Sequence, residues 1–160
     1  MTILLQRHDS QSGIDLEAII KPGDTMPDFQ AELFGGESWN LRDLRGRIVL
    51  LDFWGIWCGP CLQEITELID VYERFHNRGF EIIGVLRSEE RTRQSSYEKL
   101  FKAKDIKWRQ VYSDELNEYF NVSGIPYYVL ISQDGQVLTK DQHSLRANLA
   151  EIVSELVSSD

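Results

Sequence analysis

The sequence predicts a three-layer α/β/α sandwich around a mixed central sheet. Two apolar runs, Ile48–Phe53 and Phe80–Leu86, lack the in–out alternation of a one-sided sheet, so each reads as a strand covered on both faces. Strands alternate with helical patterns over the first half of the chain. A hairpin followed by an amphipathic helix closes it, which adds an antiparallel neighbour to the sheet.

Taken in order, residues 1–21 are weakly patterned and read as a tail or loosely packed lead-in, with the domain proper at 22–160. Pro22-Gly23-Asp24 is a turn signal. Residues 29–33 and 37–39 flank Gly35-Gly36 and read as a hairpin. Residues 41–46 suit one helical turn. Residues 60–78 read as a helix with Leu62, Ile65, Leu68, Ile69, Tyr72 and Phe75 as its apolar stripe and Gly79 as its C-cap. Residues 88–94 are charged and look flexible. Then come a helix at 97–104, a short strand at 108–111 and a brief helix at 115–120. Tyr127–Ile131 is a further strand, turned by Asp134-Gly135 into an antiparallel partner at 136–139. Leu145, Leu149, Ile152, Val153 and Leu156 share one face of a single terminal helix.

Composition narrows the function classes. The 160 residues are 42% apolar, which suits a globular domain, and the net charge of 17 − 26 = −9 argues against nucleic-acid binding. No stretch approaches 18 apolar residues, so no transmembrane segment is expected. The opening residues do not read as a signal peptide.

Both cysteines of the chain lie in one loop, Cys58-Gly59-Pro60-Cys61. Such a pair is half of a metal site or a dithiol. A metal site wants three or four soft ligands, and beyond this pair there are only His8, His76 and His143, so no metal is expected. An inert buried pair is the plainer alternative. At the start of a helix, Cys58 would meet unsatisfied N–H groups and the positive end of the dipole, which favour a thiolate. Pro60 fits the first turn without hydrogen-bond cost, and Gly59 leaves the approach open. Cys61, about one turn on, can reach back to a mixed disulfide at Cys58. Cys58 is therefore the expected nucleophile and Cys61 the resolving thiol. Trp57 either shields a flank and greets a partner or belongs to the core.

Asp52 is the other informative residue, a carboxylate inside an apolar strand. Burial should raise its pKa and let it exchange a proton with Cys61 through water. The alternative is an acid tied to a lysine or a backbone N–H. Glu64, one turn after Cys61, reads as surface charge. Pro126, just ahead of a strand, asks for an end-of-strand or cis geometry, and trans is the ordinary X–Pro state.

Asp52-Phe-Trp-Gly-Ile-Trp-Cys-Gly-Pro-Cys61 resembles the active-site segment of the thioredoxin superfamily, and Gly124-Ile125-Pro126 resembles its cis-proline loop. The resemblance implies a thioredoxin-like sandwich with an N-terminal β-hairpin and an inserted helix–strand segment. It implies that Ile125–Pro126 is cis, that Ile125 pairs with an extended substrate, and that Asp52 is the buried acid. Residues 22–29, 40–46 and 88–112, with Cys61-Leu-Gln-Glu64, are similar to the redoxin group that includes peroxiredoxins and cytochrome-c-maturation reductases.

The implied activity is thiol–disulfide exchange with a protein disulfide, as reductase rather than oxidase, using only the Cys58–Cys61 disulfide and no other cofactor. The implied partners are a protein substrate and a thiol/disulfide electron carrier, with the protein a monomer. An exported setting is favoured by the resemblance, with a cytoplasmic one as the alternative. Two departures stand out. Gly55 occupies the place of a peroxiredoxin threonine, which argues against a dedicated peroxidase. Tyr127, after the proline, replaces a frequent threonine and either narrows the substrate groove or fills the core. A thiol peroxidase and a non-catalytic redox-sensing module remain the competing readings.

Overall fold

The computed structural model describes residues 15–139 and 141–158; of the tail or lead-in expected over residues 1–21, residues 1–14 lie outside them. A short helix α1 (Leu16–Ile19) leads to β1 (Gln30–Leu33) and β2 (Ser38–Asn40), followed by a 3-10 turn at Leu41–Leu44. Then come β3 (Ile48–Phe53), α2 (Gly59–Phe75), β4 (Phe80–Leu86), α3 (Gln94–Lys104) and β5 (Arg109–Tyr112). The chain closes with α4 (Asp114–Tyr119), β6 (Tyr127–Ile131), α5 (Gln142–Ala147) and α6 (Leu149–Ser158).

The sheet has six strands in the order β2-β1-β5-β4-β3-β6. β3, β4 and β5 are parallel, whereas β6 joins β3 antiparallel and β1 joins β5 antiparallel. The sheet is therefore mixed, with helices on both faces, as the sequence predicts. Alternation along β3 divides its side chains between two cores. Ile48 and Leu50 pack with Leu68, Val71 and Phe75 of α2 and with Ile152 and Val153 of α6. Val49, Leu51 and Phe53 pack on the other face with Met26, Trp39 and Leu116. Full burial contributes about 1.5–3 kcal/mol for each large aliphatic side chain. Asp52 shares the parity of Ile48 and Leu50 and so faces the layer that contains α2.

α2 tightens into a 3-10 turn at His76–Arg78, which Gly79 closes with a φ of 93°, the left-handed cap. Several local expectations are corrected. The stretch at 88–94 forms a 3-10 helix over Ser88–Arg93, and its Glu90 is buried. The single terminal helix is two, parted at Asn148, although all five expected apolar residues are buried. The partner of β6 beyond Gly135 is reduced to a bridge between Ile131 and Val137 and a Leu138 N–H bond to Leu130 O at 2.7 Å. The outer edge of β6 is instead met by Gln142, whose side chain accepts from Tyr128 N–H at 2.9 Å and donates to Tyr128 O at 2.6 Å. The lead-in supplies Ile19 and Ile20 to the α2-side core.

Candidate active site

β3 runs directly into the loop 54–58, and α2 starts immediately after it. Cys58 is the N-cap of α2, in extended conformation, and its Sγ accepts from Cys61 N–H at 3.2 Å. A donor aimed at this sulfur, at the positive end of a 17-residue helix, stabilises negative charge there. Cys58 and Cys61 form a disulfide. Both cysteines are largely covered, at 5% and 3% exposure, but Gly59 and Pro60 between them are exposed. Trp57 stands 63% exposed beside the pair, outside the core.

The Ile125–Pro126 peptide is cis and precedes β6. It brings Ile125 O to 3.7 Å from Cys58 Sγ, across 67 residues of sequence. Tyr127, half-buried, sets its ring edge-on to Phe53 at 5.9 Å, so much of it fills core.

Asp52 is 4% exposed, and the charge acting on it most is another acid, Glu64, rather than a lysine or arginine. Burial first, and Glu64 second, raise its pKa from 3.8 to about 8. Glu64 is not a solvated surface charge. It receives Tyr128 Oη–H at 2.5 Å and Arg146 Nε–H at 3.0 Å, and Arg146 Nη2 forms the ion pair to the same oxygen. Its partners lie 64 and 82 residues away, so no local pattern announces them. Burial, with Asp52 and Glu64 adding to it, holds the Tyr128 phenol protonated far above its usual range.

A second acid was also hidden in the sequence. Glu90, 6% exposed, receives Tyr97 Oη–H at 2.5 Å and Trp57 Nε1–H at 3.3 Å, with Arg93 Nη1 at 3.4 Å. Tyr97 Oη in turn accepts from Ile56 N–H at 3.0 Å. The only hint in the sequence was an acid pair, Glu89-Glu90, in a stretch otherwise suited to solvent. Behind the loop, Trp54 Nε1–H donates to Gln110 Oε1 at 3.0 Å. Gly84 makes room for that amide, because a Cβ there would fall 1.8 Å from Oε1.

The model of the AhpC/TSA family matches residues 22–140, most of the chain. The chain belongs to the AhpC/TSA family. Among named relatives, the thiol-disulfide oxidoreductase ResA of Bacillus subtilis (strain 168) is 31% identical over 121 residues, covering 74% of this chain and 66% of the relative. The ResA protein of Halalkalibacterium halodurans is 25% identical over 88% of this chain and 79% of its own length. The chain thus spans about two thirds of the B. subtilis protein. The thioredoxin domain of a Bacteroides vulgatus thiol-disulfide oxidoreductase superposes with a TM-score of 0.67 at 26% identity, covering 84% of this chain and 99% of that one. A thioredoxin-family thiol:disulfide interchange protein from Chlorobium tepidum gives a TM-score of 0.71 over 86% of this chain and 97% of that one; at 24% identity this speaks for the fold alone.

Within the AhpC/TSA family this chain is a thiol–disulfide oxidoreductase with a CxxC disulfide as its redox centre. Gly55 is confined by the loop itself, because a Cβ there would lie 2.8 Å from Trp57 Nε1. A hydroxyl-bearing side chain therefore cannot enter beside Cys58 without displacing the indole. Among the described residues no group of three His, Cys, Asp or Glu is arranged to hold a metal, and no helix is long and apolar enough to cross a membrane.

Proposed function

We propose that the Cys58–Cys61 dithiol reduces disulfides in protein substrates. The Cys58 thiolate attacks one sulfur of the substrate disulfide; that bond breaks, a Cys58–substrate disulfide forms, and the released substrate thiolate takes a proton. Cys61 then loses its proton and attacks Cys58 Sγ, closing the Cys58–Cys61 disulfide and expelling the second substrate thiolate. Two electrons and two protons pass to the substrate. A dithiol electron carrier returns them.

Asp52 receives the Cys61 proton through water, a task suited to an acid that titrates near 8. Ile125 pairs with the extended substrate as an added strand beside Pro126. Trp57, Gly59 and Pro60 form the exposed contact rim, and Tyr127 closes the groove floor. The working unit is the domain of residues 22–160 together with the core-packed lead-in residues Ile19 and Ile20, acting as a monomer. The resemblance to maturation reductases favours the exported side of a membrane, and fractionation of source cells would test that.

One observation carries this reading. Cys58 Sγ sits between the Cys61 N–H on one side and the Ile125 carbonyl of the cis-proline loop on the other. Redox titration against dithiothreitol, with insulin reduction as the activity, tests it. A potential near or below about −250 mV supports a reductase, whereas one near −120 mV makes it an oxidase. Cys58→Ser is expected to abolish insulin reduction, and Cys61→Ser to trap the mixed disulfide. Insulin reduction that survives Cys58→Ser refutes the mechanism.

A further inference from the structure

The 3-10 segment Ser88–Arg93 and α3 hold a network that the exchange steps above do not use. Its centre is the buried Glu90 carboxylate, an acceptor with three donors around it: Tyr97 Oη at 2.5 Å, Trp57 Nε1 at 3.3 Å and Arg93 Nη1 at 3.4 Å. Two of these contacts lead to consecutive residues ahead of Cys58. Trp57 is bonded directly, and Ile56 is reached through Tyr97, whose oxygen takes the Ile56 N–H at 3.0 Å. Tyr97 is itself fixed by core packing, with Trp54 edge-on at 5.2 Å and Phe34 edge-on at 5.9 Å.

We propose that Glu90 is a positioning residue for the Cys58–Cys61 couple, clamping Ile56 and Trp57 so that Cys58 is delivered to the N-terminus of α2. The exposed indole has little packing of its own, so the bond to Glu90 decides where it stands. A loop tied to one buried carboxylate by the Trp57 indole directly and by the Ile56 backbone N–H through Tyr97 has one position available. Without that anchor, Cys58 Sγ would sample positions away from the Cys61 N–H and lose part of its thiolate stabilisation. Tyr97 serves as the relay; burial and the bond to Glu90 push its phenol well above the usual range, so it stays a donor.

This inference rests on the exchange reading, but its test does not require a protein substrate. The reduced full-length chain is alkylated with iodoacetamide at pH 7, where thiolate displaces iodide and the rate reports the Cys58 thiolate. Tyr97→Phe removes the relay hydroxyl without changing charge or ring packing. Glu90→Gln removes the charge at nearly constant volume. Each is expected to slow alkylation about tenfold, the effect of a tenfold smaller thiolate fraction at fixed pH. Each should also make the couple more reducing, and the double variant should be no slower than either single one, because both break one chain.

Wild-type rates in both single variants would overturn the proposal. So would an effect of E90Q alone, which would assign it to charge, an effect of Y97F alone, which would remove Glu90 from the chain, or full additivity. If E90Q does not fold, Trp57→Phe removes the other bond to Glu90 and must slow alkylation for the proposal to stand. Failure of the wild type to reduce insulin would refute the exchange reading and leave the alkylation result to judge Glu90 separately.

Discussion

Two carboxylates are buried, Asp52 on β3 and Glu90 in the 3-10 segment bonded to Trp57, and they are built in opposite ways. Glu90 is surrounded by donors and fixes the loop ahead of Cys58. Among the described residues Asp52 meets no compensating cation, feels the neighbouring acid Glu64, and is pushed to a pKa of about 8. An acid held by donors is a fixed structural point; an acid left under desolvation is a proton store with a titration near working pH. The two ends of one dithiol thus have different supports. In the proposed exchange, Cys58 is placed by hydrogen bonds, and Cys61 is served by a titrating group.

The comparison breaks most visibly at Asp52. Asp52→Asn is expected to lower insulin reduction about a hundredfold, the usual scale for a lost acid–base group. In the wild type, the rate of resolving the mixed disulfide should rise through about pH 8 as Asp52 ionises and becomes able to take the Cys61 proton. In D52N that inflection should vanish. A D52N profile that keeps it would assign the titration to another group.

Stability offers the next largest effect. An unfolded chain holds Asp52 at its ordinary 3.8, whereas the folded chain keeps the proton up to about 8. Between those values the folded state binds the extra proton, so stability present below pH 3.8 is lost as pH rises through about 8. The span sets a ceiling of about 6 kcal/mol on that loss. D52N escapes it, so urea melts at pH 9 should find D52N more stable than wild type by about 1 kcal/mol or more, with the advantage shrinking toward pH 4. No convergence at low pH would mean the gain is packing rather than charge.

The smallest effect belongs to Glu64, which acts on Asp52 only through its field. Glu64→Gln should move the wild-type inflection to lower pH without abolishing it, read from the same rate profiles. It also leaves Arg146 without its carboxylate, so a modest fall in melting temperature should accompany the shift. An unmoved inflection would leave desolvation as the whole cause.

The strands Ile48–Phe53, Phe80–Leu86 and Tyr127–Ile131 were legible because an uninterrupted apolar run is a local signal of a sheet buried on both faces. The CxxC and Asp52 were legible for a related reason, since each breaks a local pattern. Glu64 and Glu90 were not, because an acid on an exposed-looking turn carries no mark of the distant residue that will cover it. Arg146 turns Glu64 inward from 82 positions away, and Trp57 meets Glu90 across 33. The parting of the last helix at Asn148 was equally hidden, since its apolar spacing continues across the break. Three-dimensional neighbours, rather than composition, decide which charges of such a chain are solvated.

Gln142 has a consequence for how the molecule meets other chains. Its amide occupies both outward groups of Tyr128, imitating one residue of a missing strand. Two residues on, Leu138 and Val137 take over the same edge. A foreign strand that pairs beside Ile125 therefore finds no ladder to continue into β6, and contact is confined to the few residues around its cysteine. The same plug keeps two copies from zipping together along β6, so this edge can hold a partner briefly by its backbone without itself offering a template for aggregation.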